Sequence, residues 1–476
     1  MRRTLLQRMT CPYCLGPFAI EREVEADPTR IRWGLVQCRC FTFPIVDGVL
    51  LLSLAKGYGG AEEALEPYTA LQVAAIEFLG AGDLAGIRAW VGRHIPLLDR
   101  LMSPGALAYL DFIRELNRRL YRQVERDLHA WGRWEVLGRR GAHRRRPTPR
   151  GALAATWVGR SLLALRRRLV PGVFQSFYVS RFVTTQIRDL RARLQPFSLD
   201  GSLLSLCCGH GVFEMLADAR NPEAEIVSLD GQVLNLFVTR RFVNPDGDYM
   251  CHDVQFPLPF PEGTFRGVFS STCLVEIPAQ ASFIREAVRV TARDGWTVFD
   301  SIDPESNPRV SPTRYYRVCQ NSLGSLQDYA RLFDACAGGR PVHFTPTAGA
   351  PDGTAVWTDG PARSATTTTG TFAVSMDQIR SKAERGDFTD GERARLSVNP
   401  RYEVREEAGT LVGRFRFSER LESRLHPDLA SSLPGRVSIE RARLSDPDYV
   451  ADLYRSGTLV FLPRDFARDA VAVFRD

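Results

Sequence analysis

Apolar and polar positions along the middle of the chain follow a pattern typical of an α/β fold. The apolar run Leu203–Leu206 leads into a turn of small residues, and a second run, Ile226–Leu229, ends at Asp230. Helix-period residues at Phe283–Thr291 precede another apolar run, Trp296–Ile302. Because short apolar runs alternate with helical patterns, the sequence predicts a parallel sheet covered by helices. Its other predicted elements are the strands Gly267–Ser271, Pro341–Thr345 and Thr371–Met376 and the helix Leu326–Ala337.

The turn after the first strand and the acidic end of the second carry the first functional signal. Gly209 and Gly211 let the backbone approach a ligand closely, and Asp230 stands nineteen residues after Gly211. A carboxylate at this position accepts hydrogen bonds from the hydroxyls of a ribose. The pattern therefore predicts a site for an adenosine-containing molecule at the carboxyl ends of these strands.

Three further motifs follow in a fixed order. They are MCHD at 250–253, FPLPFPEGTF at 256–265 and RVTARDG at 289–295. Together with the turn LLSLCCGHG at 203–211, the series resembles the class I S-adenosylmethionine-dependent methyltransferases over residues 171–377. The resemblance implies a Rossmann-like sheet of seven strands, S-adenosylmethionine as the cofactor and transfer of its methyl group.

The resemblance also implies roles for individual residues. Asp230 would bind the ribose and Asp253 would lie near the adenine amino group. Ser205 stands where the family carries an acidic residue that helps to bind the methionine amino group, and Cys207 replaces the first glycine of the turn. Cofactor binding would then be weaker, or another residue would serve. The predicted cofactor-binding residues are Ser205, Cys207, Gly209, Gly211, Asp230, Asp253, Tyr178 and Ser271.

The catalytic residues stay unassigned at this stage. Methyl transfer from a sulfonium is an in-line displacement, so the enzyme mainly aligns the reactants and excludes water. A general base is needed only when the nucleophile is protonated at the working pH. The candidates for such a base are His252, Glu276 and His210.

Four cysteines near the N-terminus have the spacing of a metal site. Cys11 and Cys14 form one pair, and Cys38 and Cys40 form a second pair after 23 intervening residues. Four thiolates make a closed tetrahedral zinc site with a structural role. The segment FPIVDGVLLL at 43–52 resembles a small zinc-ribbon family that includes partners and fused modules of methyltransferases. The alternative is a metal-free core with incidental thiols.

The pattern divides the chain into four parts. Residues 1–57 form the zinc-ribbon-like module, 58–170 a helical region with an arginine-rich linker at 139–150, 171–377 the methyltransferase domain and 378–476 a small α+β or winged-helix-like module. In the last part we expect a β-hairpin from Tyr402–Glu406 and Thr410–Arg416, helices at Val437–Val450 and Ala451–Arg455, and a strand at Gly457–Leu462.

Composition narrows the environment and the partners. The net charge is +7, which permits nucleic acid or acidic partners and establishes neither. Ten cysteines in 476 residues are too few for a disulfide scaffold, and we expect the six beyond Cys40 to be buried small hydrophobes. The apolar stretch 45–54 is too short to cross a bilayer, and no signal peptide is visible, so we expect a cytoplasmic protein without a membrane partner.

Three functions remain open on the sequence alone. The leading hypothesis is methyl transfer to a small-molecule or biosynthetic acceptor. The first alternative is methylation of RNA, which the arginine-rich linker would suit. The second is a non-catalytic methyltransferase-like scaffold that binds a partner, which the departures at Ser205 and Cys207 favour. The sequence determines neither the attacked atom nor the oligomeric state.

Overall fold

The structure is a computed structural model, which describes most but not all residues of the chain. The described residues are 1–53, 62–113, 182, 185–304, 321–347, 355–359, 361, 369–375, 388–400, 402–415, 433–463, 466, 471 and 473–474, with 62–69, 183–188 and 415 given by backbone at most. The predicted arginine-rich linker 139–150 and Tyr178 lie outside these residues. No helix within the described ranges is long and apolar enough to cross a membrane.

Eleven strands in the described parts of the chain form one mixed sheet. Their order across the sheet is β1-β2-β3-β4-β7-β6-β5-β8-β9-β11-β10. The strands are β1 Ala19–Ala26, β2 Ile31–Gln37, β3 Thr42–Val46, β4 Val49–Leu51, β5 Ser202–Leu206, β6 Glu225–Asp230, β7 Asp248–Cys251, β8 Phe265–Ser271, β9 Thr291–Ile302, β10 Val342–Pro346 and β11 Gly370–Ser375. The α/β class is confirmed. The sheet is larger than the predicted seven strands because β1–β4 extend its edge.

The centre of the sheet is parallel, from β4 through β7, β6, β5 and β8 to β9. Alternate residues of β5 enter different cores, since Leu203 belongs to one apolar cluster while Leu204 and Leu206 belong to the other. A strand buried on both faces needs apolar residues at nearly every position, as predicted for this run. The chain leaves β5 towards β6 on one side and enters β8 on the other, which makes the gap between β5 and β8 a topological switch point.

The N-terminal strands join this sheet directly. The antiparallel strands β1–β4 end with β4 in parallel pairing to β7, where Leu50 lies opposite Met250 and Leu51 opposite Cys251. Asp47, in the turn before β4, is buried. Its carboxylate forms ion pairs with Arg32 and Arg240, each with a nitrogen–oxygen distance of 2.5 Å. The residues predicted as a separate zinc-ribbon-like module therefore share one sheet with residues 202–375. The division of the chain into four domains stays a prediction.

Helices cover both faces of the sheet. They are α1 Arg3–Leu6, α2 Glu62–Gly80, α3 Leu84–His94, α4 Pro96–Met102, α5 Thr185–Leu194, α6 Val212–Arg220, α7 Val233–Phe242, α8 Gln280–Val290, α9 Leu326–Cys336, α10 Asp390–Arg395 and α11 Pro447–Arg455. Asp83 caps the start of α3, because its side chain accepts a hydrogen bond from the Gly86 amide. Ser103 lies at the C-terminal end of α4, so it breaks the helix there and caps no new one.

The C-terminal strands correct one prediction. The hairpin is confirmed as β13 Tyr402–Glu407 and β14 Thr410–Phe415. Residues 436–440 form strand β15 instead of the predicted helix, since Val437 and Ile439 are buried while their neighbours are exposed, a period of two. Helix α11 begins only at Pro447, with Asp446 as its N-cap. The remaining strands, β12 Leu396–Val398 and β16 Leu459–Phe461, pair with each other.

Helix α10 docks the C-terminal residues onto α6. Glu392 forms an ion pair with Arg191 of α5 at 2.9 Å, and Arg395 forms one with Asp218 of α6. At Gly391 the two backbones are so close that an added Cβ would lie 2.4 Å from the carbonyl oxygen of Ala219.

The close approach at Gly391 predicts that an added side chain there destabilises the protein. Replacing Gly391 with alanine should lower the free energy of unfolding by about 1–3 kcal/mol, because the backbone must move to admit the methyl group. Gly435→Ala is the matched control, since a Cβ there meets open space and its backbone needs no glycine. Thermal unfolding followed by circular dichroism compares the two variants. Equal melting temperatures would show that α10 does not pack tightly on α6.

Candidate functional site

A cleft opens where β5, β8 and β9 end. It lies at the switch point of the sheet, which is where ligands bind in open parallel sheets. Of the predicted cofactor-binding residues, Ser205, Cys207 and Ser271 line this cleft.

Three residues of the cleft have a strained backbone. Cys207, Thr272 and Ser301 have φ angles of 56°, 58° and 57°, and each stands at or next to the carboxyl end of β5, β8 or β9. The left-handed region is costly for residues other than glycine, and such strain concentrates at functional sites. Cys207, which replaces the first glycine of the motif, thus takes a conformation that glycine adopts readily. The strain at Thr272 and Ser301 has no signal in the sequence.

A disulfide joins two of the strand ends. Cys207, after β5, is bonded to Cys273, after β8, with their Cα atoms 6.3 Å apart. The prediction that these two cysteines are buried small hydrophobes is therefore wrong. The two cysteines are 66 positions apart in the chain and meet only because β5 and β8 are neighbours in the sheet. The disulfide ties the predicted cofactor turn to the far wall of the cleft.

The glycine turn and Asp230 come together as predicted. The Gly209 amide donates to Oδ2 of Asp230 at 2.9 Å, and the Gln232 amide donates to Oδ1 at 2.7 Å. Gly209 and Gly211 have φ angles of 54° and 79°, and a Cβ on Gly211 would lie 2.5 Å from Thr239. The carboxylate of Asp230 is thus fixed beside a turn that only a small residue can form.

Asp253 lies after β7, one strand beyond Asp230. Its carboxylate oxygen Oδ1 accepts the Gln255 amide at 3.0 Å, closing a local turn. The neighbouring His252 is fully buried, and burial lowers its pKa to about 4, against weaker raising effects that include Asp253 and Glu286. Both ring nitrogens of His252 have partners, Ser53 and the carbonyl of Pro257, each at 3.0 Å.

The three predicted bases do not converge on the cleft. His252 is neutral and enclosed, as just described. His210 is also buried, with Nδ1 at 3.0 Å from the hydroxyl of Tyr109. Glu276 is exposed in the short turn Leu274–Glu276, which follows β8. The geometry favours none of them as a base, and the remaining predicted residue, Tyr178, lies outside the described part of the chain.

A buried acid missed by sequence reasoning stands behind Ser205. Glu214, in the first turn of α6, is fully buried and accepts a hydrogen bond from Ser228 at 2.7 Å. Burial raises its pKa to about 7, and hydrogen bonding from Ser228 and Ser205 opposes that rise. An acidic group therefore lies beside Ser205, on the helix that follows the first strand of the motif. The sequence gives a weak signal for it, a glutamate in an otherwise apolar helix face.

A second missed group supports the cleft wall. Asp300, at the end of β9, pairs with buried Arg193 at 2.7 Å and accepts hydrogen bonds from Ser271 and Thr371, both at 3.0 Å. The Ser301 hydroxyl adds a bond at 2.8 Å. A buried ion pair is retained at low cost only when its other lone pairs are satisfied, as they are for this carboxylate. Asp300 thus fixes the ends of β8 and β9.

The four N-terminal cysteines form one cluster. Their sulfur atoms all lie within 4.8 Å of one another, with Cys11 and Cys40 3.6 Å apart and Cys38 and Cys40 3.3 Å apart. Tetrahedral zinc with thiolates at 2.3 Å would place the sulfurs roughly 3.8 Å apart. The donor set and its spacing therefore fit a zinc ion.

Comparison with known protein families gives a match over the strands that carry this site. A family model for a methyltransferase domain matches residues 204–299, from β5 to β9. This match confirms the methyltransferase resemblance for that segment and supports methyl transfer as the general activity. No curated protein matches the chain.

Several solved structures are similar to parts of the chain. One is a complex between the Haloferax volcanii Trm112 methyltransferase activator and a methyltransferase, with 15% identity and a TM-score of 0.32 over 41% of this chain and 92% of that chain. A SAM-dependent methyltransferase from Thermotoga maritima has 14% identity and a TM-score of 0.32 over 45% of this chain and 99% of its own. A methyltransferase from Bacillus halodurans has 16% identity and a TM-score of 0.29, over 40% of this chain and 99% of its own.

The buried His252 predicts a pH dependence of stability. The pKa of His252 in the folded protein lies below its unfolded value of 6.5. The stability that the buried neutral ring contributes is therefore complete above pH 6.5 and is lost as the pH falls towards 4. Across that window the loss should reach about 3 kcal/mol. We expect His252→Gln, which cannot titrate, to flatten the dependence of the unfolding midpoint between pH 7 and pH 5. Denaturant titrations at several pH values measure it, and equal slopes for both proteins would contradict the assignment.

Proposed function

We propose that the chain is a class I S-adenosylmethionine-dependent methyltransferase that acts on a small-molecule or biosynthetic acceptor. The observation that carries this proposal is the glycine turn of β5 bonded to Asp230 at the switch point of the sheet. The family match covers the same residues. An open parallel sheet with a turn and carboxylate in this arrangement suits an adenosine-containing cofactor.

The residues present fit that cofactor. Asp230 would exchange a backbone partner for the ribose hydroxyls, and Asp253 would take the adenine amino group. Gly209 would let the backbone of the turn approach the cofactor closely. At the methionine end Ser205 lacks charge, but Glu214 lies directly behind it, and its pKa of about 7 lets it ionise when a cation approaches.

The chain supplies position and exclusion of water. When bound, the cofactor provides a methyl group on a sulfonium, and the protein aligns the acceptor with it. Phe213 and Phe269 give the cleft an apolar wall, and Ser271, Thr272 and Ser301 also line it. Their hydroxyls can orient an acceptor, and no general base is needed for a nucleophilic atom that is already unprotonated at the working pH, such as the nitrogen of a free amine.

The ribose assignment can be measured directly. Asp230→Ala should weaken binding of S-adenosylhomocysteine tenfold or more, because a hydrogen bond to a carboxylate contributes about 1.5–3 kcal/mol. Isothermal titration compares the variant with wild type, and Asp246→Ala, an exposed carboxylate just before β7, serves as the control. Wild-type protein that does not bind S-adenosylhomocysteine would favour the scaffold hypothesis. An unchanged dissociation constant for Asp230→Ala would place the ribose elsewhere.

The cysteine cluster completes the proposal with one structural zinc ion per chain. Elemental analysis should find about one zinc in wild type and well under one in Cys38→Ser, which loses a thiolate ligand. Cys336→Ser removes a buried thiol far from the cluster in sequence and should keep the zinc. Metal-replete wild-type protein with well under one zinc per chain would support the alternative of incidental thiols.

A further inference from the structure

One side chain of the N-terminal strands reaches the candidate cofactor edge. Ser53 follows β4, and its amide donates to the carbonyl of Cys251 at 3.1 Å. Its hydroxyl oxygen accepts the amide of Asp253 at 2.9 Å and lies 3.0 Å from Nδ1 of His252. A residue 200 positions earlier in the chain therefore holds the backbone of Asp253.

The direction of these hydrogen bonds follows from the partners. The Pro257 carbonyl can only accept, so Nε2 of His252 carries the ring proton. Because the ring is buried, it stays neutral, and Nδ1 accepts the hydroxyl proton of Ser53. Ser53 consequently donates its hydroxyl proton to His252 and accepts the Asp253 amide on one of its two lone pairs.

The segment that Ser53 holds is a turn that is also tied to β6, where the His252 amide donates to the carbonyl of Asp230 at 3.1 Å. The Phe256 amide donates to the carbonyl of Asp253 at 3.0 Å, and the His252 side chain spans to Pro257. Because Ser53 holds the amide of Asp253 itself, this anchor to β4 helps to fix where the Asp253 carboxylate stands. Misplacement of a binding group by about 1 Å is enough to cost affinity.

We propose that Ser53 is a positioning residue for the adenine end of the cofactor site, acting through Asp253. The cysteine-bearing N-terminal strands are then part of that site as well as an extension of the sheet. This inference rests on the proposed function, since it needs a cofactor whose adenine meets Asp253. It adds a role for residues that the family match at 204–299 does not cover.

The matched pair Ser53→Thr and Ser53→Val isolates the hydroxyl, because threonine and valine have nearly the same shape. We expect Ser53→Val to weaken S-adenosylhomocysteine binding fivefold to twentyfold and Ser53→Thr to stay within threefold of wild type. Gln72→Ala is the control. It removes a hydrogen bond to the Leu51 carbonyl, at 3.1 Å in the same strand, without touching the turn, and should stay within twofold.

A double-mutant cycle separates positioning from general destabilisation. If Ser53 acts through Asp253, adding Ser53→Val to Asp253→Ala should change the affinity less than twofold. A full additive loss in that background would overturn the proposal. So would equal affinities for Ser53→Val and Ser53→Thr, provided wild type binds. Wild-type protein that does not bind S-adenosylhomocysteine would overturn the proposed function and this inference together.

Discussion

Parallel pairing from β4 to β9 is the constraint on which the candidate site depends. Strands that run in the same direction end at the same edge, so the turn after β5, Asp230 after β6 and Asp253 after β7 meet there although they are distant in sequence. The pairing of β4 with β7 continues the same edge into the N-terminal strands. One sheet therefore carries both the cysteine cluster and the proposed cofactor site.

Strain and buried charge concentrate at this edge. Left-handed residues stand at the ends of three neighbouring strands, and the Asp300 network and the Cys207–Cys273 disulfide hold them in place. Conformations that are costly by themselves persist only when surrounding contacts enforce them. The two departures from the family motif lie in this setting, since Ser205 lies beside the buried Glu214 and Cys207 is bonded to Cys273.

Local patterns predicted the elements whose signals lie within a few residues. The apolar run of β5 and the hairpin around Gly409 depend on neighbours in the sequence, so the structure agrees with them. The disulfide, the Arg193–Asp300 pair and the Ser53 contact join residues from 66 to 200 positions apart, and no local pattern encodes them. Strand β15 was missed because its short alternation also suits a helix within a longer window.

Hydrogen exchange measured by mass spectrometry tests the central claim, that one sheet edge holds the cofactor and includes the end of β4. On addition of S-adenosylhomocysteine, exchange should slow in peptides covering 205–214, 229–233 and 251–257, and also in the peptide containing 49–53. The hairpin 402–415 should exchange unchanged and serves as the internal reference. Protection confined to other segments, or absent from 229–233 and 251–257, would contradict the account.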